Sequence, residues 1–146
     1  MKGAIEMMVY HSRPDTLFFE LSPGPFRWKW GIPGTLYFDE AAWGFVMVPL
    51  IIGRIFDYDD YSETDVPREQ WKPVQQDLAK LRAKLDECEC EEDVLVEFGL
   101  LYRDTVLNSR YDFAQFKSDL TTILDETQKW LIEALKTNEV VSILGL

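Results

Sequence analysis

The chain has 146 residues, a length that suits one core, so residues 1–146 are read as a single domain. Apolar residues make up 47% of it, which excludes a chain too polar to fold, and five Trp, six Tyr and nine Phe are enough to place some rings at a binding surface. The formal charge of −11 argues against a nucleic-acid partner, because a polyanion is repelled.

Taken in chain order, the first forty residues read as extended structure. Ala4 to Tyr10 and Thr16 to Leu21 are candidate strands, separated by the turn-forming Ser12-Arg13-Pro14-Asp15. Glu6, His11, Arg13 and Asp15 come too early for an apolar signal core, so the expected address is the cytoplasm. After Ser22-Pro23-Gly24-Pro25, the residues Phe26, Trp28 and Trp30 alternate with Arg27 and Lys29. A period of two predicts a half-buried strand with its tryptophans in the core. Gly31-Ile32-Pro33-Gly34 makes another turn, and Thr35 to Phe38 a further short strand. Asp39 is a helix N-cap candidate, with Glu40 favoured in the first turn.

The stretch Phe45–Phe56 fits a helix interrupted by Pro49, with a strand over Leu50–Phe56 as the competing assignment. Its uninterrupted apolar core is far shorter than the roughly 20 residues that span a bilayer, so no membrane partner is expected. Asp57 to Asp65 reads as a polar loop holding Tyr58 and Tyr61. Pro67 and Glu69 suit the start of the next helix, where Trp71, Val74, Leu78, Leu81 and Leu85 form an apolar stripe. A second helix is expected to open in the acids near residue 90 and to bury Val94, Leu95, Phe98, Leu101, Tyr102 and Thr105. A third begins near Asp112, carrying Phe113, Phe116, Leu120, Ile123, Leu124, Thr127, Leu131 and Leu135 on one side. Val140 to Leu144 is a candidate terminal strand. Strands first and helices afterwards is the α+β arrangement, here an N-terminal antiparallel β meander followed by a three- to four-helix C-terminal half.

Charge is distributed unevenly. Asp57, Asp59, Asp60, Glu63, Asp65 and Glu69 crowd one stretch against Arg68 alone, and Asp86, Glu87, Glu89, Glu91, Glu92 and Asp93 crowd a second without any base. Together these two stretches carry the whole net charge of −11. Such blocks attract a basic protein or a cation. Tyr58 and Tyr61 among the acids of the first block read either as a solvated loop or as aromatic anchors for a partner. The candidate partner-binding residues are Asp57, Tyr58, Asp59, Asp60, Tyr61, Glu63, Asp65, Glu89, Glu91 and Glu92.

Catalytic chemistry finds little support. His11 is the sole histidine, so a Ser–His or Cys–His pair has one base to draw on, and that base sits beside a turn. No phosphate-binding glycine loop, paired-histidine metal motif or dinucleotide fingerprint occurs. Cys88 and Cys90 are separated by one residue, too close for a relaxed disulfide, and read as reduced thiols. Neither a resident metal nor a cofactor is expected, and the chain is read as a non-enzyme. A carboxylate-dependent or metal-binding enzyme and an adaptor subunit of a protein assembly remain the alternatives.

The segments Tyr37-Phe38-Asp39-Glu40-Ala41-Ala42-Trp43 and Phe56-Asp57-Tyr58-Asp59-Asp60-Tyr61-Ser62-Glu63-Thr64 carry a resemblance. The order of strand, capped helix, acidic Tyr loop and Trp-bearing helix over residues 35–85 resembles small acidic immunity proteins of bacterial toxin systems, such as contact-dependent growth inhibition. The resemblance implies a cytoplasmic protein that neutralises a specific toxin domain, often a basic nuclease, by covering its active site or a neighbouring surface. It designates no inhibitory residue, because such families diverge in the residues they use.

Overall fold

A computed structural model describes residues 8–14, 18–51, 54–55, 58–59, 62–90, 92–94 and 113–145. Five strands form one sheet: β1 (Val9–Tyr10), β2 (Phe18–Pro23), β3 (Leu36–Asp39), β4 (Glu63–Pro67) and β5 (Val140–Leu144). All four pairings are antiparallel, and the strand order is β1-β3-β2-β5-β4. The β2–β3 pair is thus joined to the last described strand on one side and to β1 on the other.

The helices follow from their sequence patterns. Asp39 caps the first as expected, its Oδ1 accepting the Ala42 N–H at 2.7 Å. Helical winding then continues through α1 (Glu40–Ala42), a π-helical turn over Trp43–Met47 and α2 (Val48–Ile51). Helix therefore prevails over strand up to Ile51. The widened turn lies just ahead of Pro49, the residue with no N–H to donate, and the winding passes the proline with that ring exposed.

The 20-residue α3 (Arg68–Glu87) buries Trp71, Val74, Leu78 and Leu85, while Leu81 is partly buried. The 25-residue α4 (Phe113–Thr137) buries Phe116, Leu120, Ile123, Leu124, Thr127, Leu131 and Leu135. These are the residues their 3–4 spacing selects. Residues 92–94 are helical, and Val94 is buried. The expected contacts from Leu95 to Thr105, the cap at Asp112 and the start of the first strand at Ala4 lie outside the described residues.

Strand alternation divides the sheet into two unlike faces. Phe19, Leu21, Leu36, Phe38, Val66, Val141 and Ile143 point to one side and join the core with the helices. Trp43 is central there, stacked on Phe19 at 5.0 Å and edge-on to Phe38 at 5.2 Å. The opposite side carries Glu20, Ser22, Tyr37, Asp65 and Ser142. Glu20, Ser22, Tyr37 and Ser142 are nevertheless buried, because the β2–β3 connection folds back over them.

Three expectations need correction. The residues Phe26 to Trp30 form no strand, and their tryptophans are not core: Trp28 is 81% exposed and Trp30 49%. The acidic stretch read as a loop to Asp65 contains a strand, since Glu63–Pro67 pairs along β5 with Thr64 and Val66 turned inward. The break expected over Ser22-Pro23-Gly24-Pro25 narrows to its last two residues, because β2 runs through Pro23.

Candidate functional site

The loop between β2 and β3 is the most exposed aromatic feature among the described residues. Its course is set by positive φ angles at Gly24 (82°), Trp28 (60°), Gly31 (68°) and Gly34 (87°). Glycine adopts such backbone without steric cost, whereas a bulky side chain there is an outlier. Trp28 is the one described residue other than glycine in that region of φ. A period-two pattern needs continuously extended backbone, and this reversal at Trp28 removes it.

Two carboxylates hold the loop at either end of its tip. Asp65 Oδ1 on β4 accepts the Phe26 N–H at 2.9 Å. Glu20 Oε1 on β2 accepts the Gly31 N–H at 2.8 Å. Ser142 Oγ lies 2.7 Å from both Asp65 Oδ1 and the Gly24 carbonyl, and its single proton serves one of them at a time. At the far end, Trp130 of α4 donates its indole N–H to the Gly34 carbonyl at 2.8 Å. Between these anchors Phe26 packs against Trp28 at 5.3 Å and Trp30 at 5.0 Å, forming a small aromatic cluster.

Burial pushes the Glu20 carboxyl above its ordinary value; the Gly31 hydrogen bond and the charge of Arg13 oppose that shift. Tyr37, its cross-strand neighbour, is raised by burial and then by the charge of Glu20. A carboxylate with 2% exposure is therefore retained beneath the loop at an electrostatic cost.

The residues expected to bind a partner are dispersed. Asp57, Asp60, Tyr61 and Glu91 lie outside the described residues. Tyr58 is half-buried and accepts the Trp43 indole N–H at 2.8 Å, so it faces the core. Asp59 is exposed. Asp65 is committed to Phe26 and Ser142, while Glu63, two positions away on the same face of β4, is exposed. Glu89 and Glu92 are exposed beyond the other end of α3. At 1.5 Å per residue, α3 holds the two acidic blocks about 30 Å apart.

Several block acids are also engaged internally. Asp86 pairs with Arg82 at 2.8 Å, and the same Arg82 reaches Asp125 of α4 at 2.9 Å. Asp93 accepts the Glu89 N–H at 3.0 Å, and Glu69 pairs with Lys72 at 3.2 Å. Of the expected residues, Asp65 and Glu63 sit beside the aromatic loop, and Glu89 and Glu92 do not.

Sequence reasoning missed the exposed loop and its two clamps. A signal was present: the Phe26–Trp30 stretch is framed by Pro23-Gly24-Pro25 and Gly31-Ile32-Pro33-Gly34, a density of chain-breaking residues that suits a long connection better than a strand.

His11 is exposed, its Nε2 3.3 Å from Glu126 Oε2. Cys88 and Cys90 are thiols, the first buried with Sγ 3.4 Å from the Lys84 carbonyl. Among the described residues, no three His, Cys, Asp or Glu side chains converge as metal ligands, and no helix is long and apolar enough to cross a membrane. Compared with known proteins, the chain matches no family model, no curated protein and no solved structure.

Proposed function

We propose that this chain is a non-enzymatic inhibitor of the immunity type, which neutralises a cognate toxin domain in the cytoplasm by binding it. The observation that carries the reading is the enforced exposure of Trp28 and Trp30. Leaving 81% of Trp28 in water forgoes the stability its burial would bring, and its backbone occupies a disfavoured region at a cost. Such a cost points to a surface whose value lies in what it contacts, and tryptophan is enriched among the residues that dominate protein–protein binding energy.

The toxin assignment comes from the resemblance over residues 35–85, and the basic character of the partner from the net charge of −11. In this reading the charge accelerates encounter and the aromatic loop makes the short-range contact. Electrostatic steering raises association to about 10⁸ M⁻¹s⁻¹ at low salt, a useful rate for capturing a toxin early. Asp65 and Glu20 contribute by preorganising the loop rather than by touching the partner.

Co-expression with the toxin domain encoded in its genomic neighbourhood tests the proposal. Growth should be restored, the two proteins should co-elute, and a Trp28→Ala, Trp30→Ala double variant should lose protection. Absence of protection, with a stable complex formed instead with a non-toxic protein, would make the chain an adaptor.

A further inference from the structure

We propose that the tip Arg27–Trp30 is a cationic-aromatic plug that seats in an acidic cleft of the partner protein, beside a basic edge that faces Glu63. This rests on the inhibitor reading and adds the partner's local chemistry to it. The tip is opposite in sign to the rest of the molecule. Arg27 and Lys29 stand between Phe26 and Gly34 with no acid in that stretch, on a chain whose net charge is −11. Both residues are exposed, and the Arg27 guanidinium folds back over Gly24.

Among the described residues neither Arg27 nor Lys29 stands in an ion pair. Asp65 is turned to the Phe26 N–H and Glu20 to the Gly31 N–H, main-chain groups on either side of the tip. With 81% of its surface in water, Trp28 leaves most of its ring free to enter a concave complement. Glu63, exposed on the same sheet face as Asp65, gives the base of the projection the opposite sign. Positive tip and negative surround together fit a cleft with carboxylates on its floor and cations at its edge. A membrane or a nucleic acid would attract Arg27 and Lys29, but it would be repelled by Glu63 and by the chain as a whole.

The sign of a charge reversal decides the matter. The chain, an R27E/K29E variant, an E63K variant and a W28A/W30A variant are titrated calorimetrically into the toxin domain that the chain neutralises. Unchanged circular dichroism and melting temperature establish that each exposed variant is folded. An acidic cleft predicts that R27E/K29E weakens binding by about 10- to 100-fold. It also predicts a loss above about 100-fold for W28A/W30A and a loss below about tenfold, mostly in association rate, for E63K.

Tighter or unchanged binding by R27E/K29E would overturn the plug while leaving the inhibitor reading intact. So would full affinity in W28A/W30A, which places the contact on another face. A chain that neutralises no toxin domain loses both readings together. Parallel arms use phosphatidylglycerol vesicles and a single-stranded oligonucleotide. Trp-dependent binding to either would replace the protein cleft with a polyanion.

Discussion

The two faces of the sheet use opposite materials. On the helix side Trp43, Trp71, Phe38 and Phe116 are fully buried and nothing but apolar surface meets apolar surface over most of the contact. On the other side a row of polar groups, Glu20, Ser22, Ser142 and Tyr37, is buried beneath a loop whose largest rings remain in water. The first arrangement is how a sheet gains stability. The second spends stability to fix the shape of a loop. Stability and recognition should therefore separate cleanly between the two faces when residues are changed one at a time.

The largest effect belongs to the helix side. Trp71→Ala removes a fully buried ring and the 3.2 Å bond from its indole N–H to the Val141 carbonyl. A loss of about 3–5 kcal/mol is expected in chemical denaturation. Asp65→Ala should cost about 1 kcal/mol, because a loop donor loses its acceptor. Its more specific signature is faster amide exchange at Phe26, and an equal loss of protection throughout the sheet would remove the clamp from the account. Trp28→Gly relieves the disfavoured backbone, so about 1 kcal/mol of stability should be gained while partner binding is lost. A destabilised Trp28→Gly protein would show that the ring supports the fold.

Glu20→Gln tests the buried carboxylate. Burial raises its pKa above the ordinary 4.5, so the folded chain holds that proton more tightly than the unfolded one. The contribution is thus most favourable below pH 4.5 and is lost as pH rises through the raised value. An amide oxygen can still accept the Gly31 N–H, so the variant should melt higher than the parent at pH 7, with the difference shrinking toward pH 4. A difference independent of pH would separate the effect from ionisation. Smallest of all, Glu89→Gln and Glu92→Gln should change stability by less than about 0.5 kcal/mol, since both side chains are exposed. They should also leave partner affinity unchanged, and a marked loss would return the second acidic block to the interface.

What could be read in advance follows the same division. The stripes of α3 and α4, the cap at Asp39 and the strand at Val140–Leu144 were legible because local periodicity and burial point the same way. The loop was not, because alternation of Phe26, Trp28 and Trp30 says nothing about a φ of 60° at the middle residue. The strand β4 was hidden for a different reason. Thr64 and Val66 alternate with Glu63 and Asp65 as an edge strand should, but the density of acids made the segment look solvated. The clamps are long-range contacts, Phe26 with Asp65 and Gly31 with Glu20, and no spacing within one element encodes them. Acidic composition says nothing of where the two blocks lie, which depends on the length of the helix between them.

The place of β5 between β2 and β4 bears on how the molecule is assembled. Leu21 finds its neighbour in Ile143, so one side of the N-terminal hairpin stays bare until α3 and α4 have been laid down. Pairings that distant make for slow folding, and an uncompleted hairpin presents an apolar ribbon open to other chains. Among the described residues that hazard is limited: one border of the sheet is the two-residue β1, and the other is β4, with its acids and Pro67.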